Sequence, residues 1–470
     1  MKNTYADLID QSDYFPQEDL DLHQGYLTFH GVSIKRLIGK YGTPLRLFYL
    51  PKIGSQIKKA RNLFHRAIRK HQYSGSYHYA YCTKCNHFAH VLNEVLRHQV
   101  CLETSSAFDI DLILSLYRDH KLGRDGVIIH NGYKTDQYLD KIVSLQQQGF
   151  GHLISVLDNV HELSRLDQRL TNGQVMNVGV RMAIDEAPPS DYYTSRLGIK
   201  QSEILDFYQN RIQNNPKFSL RMFHFFVDSG IEDTTYYWGE FRKALEEYIR
   251  LKKSCPALNA FNLGGGFPIR NHLGFDYDYG YMIDEMVSVI KQACRENHVA
   301  EPDIYTEFGK YTVGESEAMI FKVLETKQQN DAECWYMIDN SLMNTMPDAW
   351  SMNEKFMLLP INQWDREYVR ASVGGISCDH ADYYNAGPAG QAVLLPSLSQ
   401  HHKEPLYLGF FHTGAYQDAI SGYGGIKHCL IPAPKLVIID RDSMGNLVDF
   451  EYEGEQSAGD MLKRLGYTAY

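Results

Sequence analysis

The stretch Tyr77-His-Tyr-Ala-Tyr-Cys-Thr-Lys84 begins a long alternation of strand-like and helix-like segments. Its aromatic and apolar run is typical of a buried strand, and seven similar runs follow it, separated by segments with helical spacing. The sequence predicts strands at Tyr77–Cys82, Val100–Glu103, Val127–His130, Leu153–Val156, Val175–Met182, Leu220–Val227, Leu258–Leu263 and Asp303–Thr306. It predicts helices at Phe88–Arg97, Asp109–Tyr117, Gln137–Gln148, Tyr237–Lys253 and Tyr279–Glu296.

This alternation implies right-handed crossovers between parallel strands. About eight such units over roughly 230 residues predict a closed (β/α)8 barrel, for which roughly 250 residues is typical. An open, doubly wound sheet is the alternative.

The pattern changes after about Lys310. Strand-like runs are then joined by turn-rich loops such as Asn385–Gly390, which indicates a β-rich domain. We expect three parts: an N-terminal segment, 1–45, that joins the β-rich domain, a barrel at 46–310, and the β-rich C-terminal domain at 311–470.

The charge balance limits the partners. The chain has 47 basic and 57 acidic residues, a net charge of −10. An acidic surface repels nucleic acid and anionic lipid and attracts small cations, so we expect neither a nucleic-acid nor a membrane partner. The N-terminus lacks a signal-peptide pattern, and eight cysteines in 470 residues are not a dense disulfide framework. A cytoplasmic location is therefore expected.

Lys84 directly follows the first strand, and in a barrel the carboxyl ends of the strands face the active site. Partial desolvation there would lower the pKa of the lysine and favour Schiff-base chemistry, although a surface lysine has the same local sequence. Cys82-x-x-Cys85 with His87 and His90 suggests zinc or a redox dithiol, but a structural zinc site usually has two separated ligand pairs. No metal site is predicted.

Two further segments follow predicted strands. Gly264-Gly265-Gly266 leaves backbone N–H groups open and can bind a phosphate, or can simply form a tight turn. Glu307 and Lys310 could face a protonated pyridine nitrogen and a phosphate, or could form a surface charge pair.

The β-rich part contains two more candidates. In Ser377-Cys378-Asp379-His380-Ala-Asp382, carboxylates beside the thiol would raise its pKa and suit a proton donor, while a buried structural cysteine is the alternative. Tyr416, in Gly414-Ala415-Tyr416, could donate to a phosphate oxygen or pack in a core.

Together these segments resemble the fold-type III decarboxylases that depend on pyridoxal 5'-phosphate (PLP), the group containing ornithine, diaminopimelate and arginine decarboxylases. The resemblance implies an alanine-racemase-like barrel with a β-rich second domain, and a homodimer or higher oligomer with shared active sites. It implies that Lys84 forms a Schiff base with PLP, that Glu307 faces the pyridine nitrogen, and that Cys378 returns a proton in the partner subunit's site. The residues implied at the cofactor phosphate are Ser229, Gly264, Gly265, Gly266, Lys310 and Tyr416. Those implied at the cationic tail of the substrate are Asp379, Asp382 and Asp348.

Within this group the resemblance is closest to the biosynthetic arginine decarboxylases. Asn131-Gly-Tyr-Lys134, Ser341-Leu-Met-Asn-Thr-Met-Pro-Asp-Ala-Trp350 and Phe410–Gln417 carry it. It implies decarboxylation of arginine to agmatine for polyamine biosynthesis. Two positions depart from the pattern: Phe226 replaces a stacking histidine that His224 could supply instead, and Lys310 replaces an arginine.

Other functions remain open from the sequence. The cationic amino acid could be ornithine, lysine, diaminopimelate or carboxynorspermidine. A racemase could use the same barrel, and a catalytically silent PLP-binding homologue could regulate a partner enzyme.

Overall fold

The computed structural model describes residues 4–171, 173–185, 193–331, 333–384, 392–398 and 404–468. It divides the chain into two compact units. The barrel unit comprises Ile53–Pro268 and Tyr277–Thr312, and the β-rich unit comprises Met1–Lys52, Ile269–Asp276 and Val313–Tyr470. The predicted loop Asn385–Gly390 lies outside the described residues.

The barrel unit contains eight parallel strands that close on themselves. The strands are Tyr77–Cys82, Cys101–Thr104, Ile128–His130, Leu153–Leu157, Met176–Arg181, Phe218–His224, Ala260–Asn262 and Asp303–Glu307. Pairing of the last strand with the first, with Glu307 opposite Ala80, closes the ring. The predicted (β/α)8 barrel is confirmed, and the open sheet is excluded.

Helices precede, connect and follow the strands of this barrel along the chain. They are Pro51–His71, Ala89–Leu96, Ala107–Arg118, Asp136–Gln147, Val160–Asp167, Gln201–Phe207, Thr235–Ser254 and Tyr279–Glu296, with short helical turns at Thr83–Cys85, Tyr208–Ile212 and Lys310–Val313. Side-chain caps define several starts: Ser106 and Asp109 form a capping box, and Thr135 and Asn159 each accept from the first turn.

One strand ends earlier than the sequence predicts. The expected strand Leu220–Val227 is observed at Phe218–His224. Phe225 and Val227 are buried although they lie beyond the last paired residue. Burial therefore continues after strand pairing has ended, and an apolar run alone cannot mark that boundary.

The β-rich unit is built on a nine-stranded sheet. Its strands are Leu45–Tyr49, Glu317–Gln328, Cys334–Ile338, Met357–Pro360, Tyr368–Gly374, Val393–Pro396, Tyr407–Phe411, Lys435–Arg441 and Leu447–Glu453. A three-stranded sheet is formed by Leu20–His23, Tyr26–Phe29 and Val32–Ser33. The helices are Tyr5–Ser12, Ile34–Tyr41, Leu342–Thr345, Pro347–Ser351, Gln417–Ser421 and Ala458–Arg464, with turns at Gly314–Ser316 and His428–Leu430.

An early strand of the chain is central to this larger sheet. Leu45–Tyr49 pairs with Glu317–Gln328 on one side and with Lys435–Arg441 on the other. All five of its residues are buried. The described residues contain no helix long and apolar enough to cross a membrane.

Candidate active site

Polar side chains converge at the carboxyl ends of the barrel strands, where barrel active sites are built. Lys84, in the turn after the first strand, donates from Nζ to Oε2 of Glu103 at 2.7 Å. Glu103 lies near the end of the second strand and is completely buried, while the side chain of Lys84 is 43% exposed. An amine at the opening of the barrel is thus held by a carboxylate inside it.

The pKa of Lys84 differs in direction from the expectation. Burial by itself lowers this pKa, but electrostatic interactions with Cys82 and Glu103 outweigh burial and raise it well above its usual value. The expectation of a lowered pKa is therefore wrong for the free lysine, because the sequence did not reveal its buried carboxylate partner.

Glu307, at the end of the last strand, lies in a network of donors. Asn131 Nδ2 and Asn262 Nδ2 donate to its Oε1 at 2.8 and 2.6 Å. His224 Nε2 lies 3.2 Å from its Oε2. Burial raises the pKa of Glu307, but the contacts with His224, Lys84 and Asn131 outweigh it and lower the pKa to about 2. Glu307 is consequently an anion at neutral pH, and it can accept a hydrogen bond from a pyridine N–H.

The glycine loop lies directly against this network. Glu307 N–H donates to the carbonyl of Gly264 at 2.7 Å, and Gly264 N–H donates to Asn262 Oδ1 at 2.9 Å. A Cβ on Gly265 would lie 2.3 Å from the Glu307 carbonyl oxygen, and Gly264 and Gly266 have φ of +69° and +109°. Glycine alone fits where a Cβ has no room and where φ is positive. The loop therefore presents backbone groups without side chains to the site.

Ser229 and Lys310 lie close in sequence to residues that contact this loop. Ser229 is exposed and precedes Gly230, where a Cβ would approach the Gly266 carbonyl to 2.7 Å. Lys310 is partly exposed and begins the short helix Lys310–Val313, three residues after Glu307. A hydroxyl, a cation and a glycine loop are the groups that a phosphate needs.

His224 and Phe226 occupy different places. His224 is buried beside Glu307. Phe226 is partly exposed, its ring edge lies 3.1 Å from the Cβ position of Gly264, and the Arg181 guanidinium lies 5.7 Å from its ring centroid. Phe226 therefore lies beside the glycine loop, and His224 belongs to the network around Glu307.

Several buried polar atoms near the strand ends have no hydrogen-bond partner among the described residues. They are Glu103 Oε1, His130 Nε2, Asn131 Oδ1, Ser155 Oγ and His224 Nδ1. Such atoms are costly in a dry interior and imply a polar ligand. PLP combines a phosphate with a pyridine nitrogen, a phenolic oxygen and an aldehyde, and so fits the glycine loop, Glu307 and Lys84.

The β-rich unit contains the predicted cysteine. Cys378 is exposed, and its Sγ lies 3.3 Å from Sγ of Cys429. The hydrogen bond and charge of Cys429 are the main causes that raise the pKa of Cys378, and Asp379 adds a smaller effect. The direction agrees with the expectation, but the neighbouring thiol, which the sequence did not reveal, is the larger cause.

The three predicted substrate carboxylates differ in their surroundings. Asp379 is partly exposed, with 34% of its side chain accessible. Asp382 is buried, and its two oxygens accept from Met343 N–H and Ser377 N–H at 3.1 and 3.0 Å. Asp348 is also buried and accepts from Gln417 at 2.9 Å. Asp382 and Asp348 thus already accept hydrogen bonds within the protein, and their assignment to the substrate stays a prediction.

Tyr416 lies in the same unit. It has a left-handed backbone conformation, with φ of +70°, and immediately precedes the helix Gln417–Ser421. Its side chain is partly exposed.

Sequence reasoning missed Glu103 and the roles of Asn131 and Asn262. An acidic residue inside an otherwise apolar strand was a usable signal for Glu103. Asn131 enters the sequence analysis only as part of the Asn131–Lys134 motif, and nothing local to either asparagine indicates a shared carboxylate.

Comparison with known proteins identifies the family of this chain. Residues 54–314, more than half of the chain, match the family described as pyridoxal-dependent decarboxylase, pyridoxal binding domain. A biosynthetic arginine decarboxylase from Phocaeicola vulgatus is 21% identical over 93% of this chain and 86% of its own length. Biosynthetic arginine decarboxylase 2 of Synechocystis is 23% identical, over 92% and 82%.

Solved structures agree in fold. The biosynthetic arginine decarboxylase of Campylobacter jejuni has a TM-score of 0.78 at 20% identity, covering 99% of this chain and 90% of that one. A diaminopimelate decarboxylase from M. jannaschi also has a TM-score of 0.78, at 17% identity, covering 95% and 97%. The matched domain, the barrel and the cluster at its strand ends lead to one conclusion: this chain belongs to the pyridoxal-dependent decarboxylases.

Proposed function

We propose that the protein decarboxylates arginine to agmatine and carbon dioxide. One observation carries the chemistry: Lys84 and Glu307 lie at the same strand ends as the glycine loop, with Glu307 ionised. The choice of arginine is supported by the Ser341–Trp350 segment and by relatives with that name that match over 92% or more of this chain.

The barrel unit would hold the cofactor at three points. The Lys84 amine would bind its aldehyde carbon, and Glu103 would orient the amine. The N–H groups of Gly264, Gly265 and Gly266, with Ser229, Lys310 and Tyr416, would bind its phosphate. The Phe226 ring would pack beside it.

Bound PLP supplies a ring that accepts the electron pair left on the substrate carbon when carbon dioxide departs. Glu307 would keep the ring nitrogen protonated, because its low pKa makes it an anion that can accept a hydrogen bond from that N–H. The two amide donors hold the carboxylate in place so that it does not reorganise during the reaction.

Cys378 would deliver the proton that replaces the carboxylate. The loop that contains Cys378 resembles a loop of the family that reaches into the partner subunit's site. We therefore propose a homodimer with shared active sites. All eight cysteines are free, as expected in a reducing compartment, which supports a cytoplasmic location.

Asp379 is the carboxylate that we assign to the cationic tail. Asp379 is the most accessible of the three candidates, since Asp382 and Asp348 are buried and already accept hydrogen bonds within the protein. A planar guanidinium can bind a carboxylate through two parallel hydrogen bonds, which an ammonium cannot do.

A substrate panel tests this proposal. Purified protein with PLP should release carbon dioxide from arginine faster than from ornithine, lysine or diaminopimelate. Faster turnover of ornithine would reject arginine as the substrate, and deuterium exchange at Cα without carbon dioxide release would indicate a racemase.

A lysine pair tests the cofactor site. Lys84→Ala should abolish both decarboxylation and the visible absorbance of the bound cofactor. Lys134→Ala is a poor control, because Lys134 is completely buried and paired with Glu162. Lys70→Ala is better matched, since Lys70 is 62% exposed. An unchanged spectrum in Lys84→Ala would refute the lysine assignment.

A further inference from the structure

Three potential metal ligands meet on the surface of the β-rich unit. They are Cys378, His428 and Cys429, all exposed, and one ligand atom from each lies within 4.8 Å of the other two. Within the described part of the chain, no other three Cys, His, Asp or Glu side chains come this close. Two sulfurs and one imidazole nitrogen form a donor set that suits zinc.

Both ligand-bearing loops are anchored to one short helix, Leu342–Thr345. Met343 N–H donates to the Asp382 carboxylate, which also accepts from Ser377 N–H, next to Cys378. Asn344 donates to the His428 carbonyl at 2.9 Å and accepts from the His428 N–H at 3.1 Å. The cluster therefore depends on a common support and not on a chance approach of two free loops.

The second loop has an uncommon backbone. Cys429 and Leu430 both have left-handed conformations, with φ of +56° and +52°. Residues other than glycine adopt this region at a cost. The Asn344 clamp maintains a conformation that brings the Cys429 thiol to the Cys378 thiol.

We propose that Cys378, His428 and Cys429 bind a thiophilic cation, Zn²⁺, with water completing the coordination. In a tetrahedral zinc site the sulfurs lie about 3.8 Å apart, given zinc–sulfur bonds of about 2.3 Å. The observed 3.3 Å between the two sulfurs requires only small side-chain rotations. Binding releases the two thiol protons to solvent and leaves a neutral imidazole on the metal, with no oxidation or reduction.

The site has a regulatory consequence, which rests on the proposed function. The Cys378 thiol is the proposed proton donor, and a metal-bound thiolate has no proton to give. Zinc would therefore inhibit decarboxylation by occupying the donor. A disulfide between the same cysteines would need an oxidant, and a reducing compartment disfavours it.

Two variants separate the metal site from the catalytic residues. Cys429→Ser and His428→Asn remove metal ligands and leave the proposed proton donor, Cys378, in place. Cys334→Ser, a change in the same unit outside the cluster, is the matched control.

The binding experiment uses the PLP-loaded protein, reduced and freed of metal, with Zn²⁺ in competition with a chromophoric chelator. Wild type and Cys334→Ser should bind one equivalent. Cys429→Ser and His428→Asn should bind more than about a hundredfold more weakly, since even the loss of a group that only orients a metal ligand costs about 10- to 100-fold. Absence of stoichiometric binding, or equal affinity in Cys429→Ser, would overturn the proposal.

Activity is measured in parallel with and without Zn²⁺. Wild type should lose activity as the site fills, while Cys429→Ser should keep its activity at the same zinc concentration. Zinc binding without inhibition would overturn the regulatory consequence. Failure of the wild type to decarboxylate any amino acid would instead refute the proposed function, and the binding measurement would remain valid.

Discussion

Replacing Glu307 by glutamine tests the electrostatics of the barrel site. The pKa of Glu307 falls from its ordinary 4.5 to about 2. At about 1.4 kcal/mol per pKa unit, the surroundings favour its anion by roughly 3 kcal/mol. Glutamine can accept from the two asparagines but carries no charge, so it cannot keep a ring nitrogen protonated.

A hydrogen bond to a charged group contributes about 1.5–3 kcal/mol, so turnover should fall by about ten- to a hundredfold when the ring nitrogen loses its anionic partner. The assay is carbon dioxide release at saturating arginine, together with the absorbance spectrum of bound PLP. The spectrum should show that the cofactor is still bound, because Lys84 and the glycine loop are unchanged.

Glu246→Gln is the matched control, since Glu246 is exposed on the helix Thr235–Ser254. It should leave turnover and cofactor absorbance unchanged. A Glu307→Gln enzyme that binds PLP and turns over at the wild-type rate would refute the assignment of Glu307 to the pyridine nitrogen.

Three further substitutions test other parts of the structure. Gly265→Ala would place a methyl group 2.3 Å from a carbonyl oxygen, so PLP titration should show at least about tenfold weaker binding. In the control Gly239→Ala, the new methyl group meets nothing within 4 Å and should stabilise its helix by about 0.5–1 kcal/mol. Arg46→Met leaves two carboxylates without their shared cation, and because Arg46 is buried it should lower the free energy of urea unfolding by about 3–5 kcal/mol. Arg36→Met, at a site that is 52% exposed, should lower it by less than about 1 kcal/mol. Equal losses in the two variants would contradict the distinction between buried and exposed ion pairs. Asn262→Leu removes a 2.6 Å hydrogen bond to the buried Glu307 carboxylate. Turnover should fall by about tenfold or more, and the acid limb of the pH–rate profile should move to higher pH. An unchanged profile would contradict the positioning role of Asn262.

The pH direction follows from the sign of the Glu307 shift. Its pKa is lowered in the folded protein, so the interactions contribute stability above about pH 4.5 that is lost as the pH falls toward about 2. Losing the Asn262 donor brings the folded pKa closer to its ordinary value. The acid limb should therefore move up.

The sequence predicted the barrel because strand and helix leave different local periodicities, and eight alternations repeat them. It also indicated Lys84, the glycine loop and Glu307, since each directly follows a strand and barrel topology brings strand ends together. These inferences needed only short segments and a general rule about where parallel strands end.

The tertiary structure alone decided which groups interact with these residues. Glu307 is 176 positions from Asn131, and Cys378 is 51 positions from Cys429. No local pattern encodes such pairs, because they arise when distant strand ends or loops pack together. The raised pKa of Lys84 depends on a buried carboxylate from the next strand, and the structural roles of Asp382 and Asp348 depend on loops that fold over them. Periodicity determined the fold and the positions facing its opening, whereas packing determined the charge, burial and partners of each functional group.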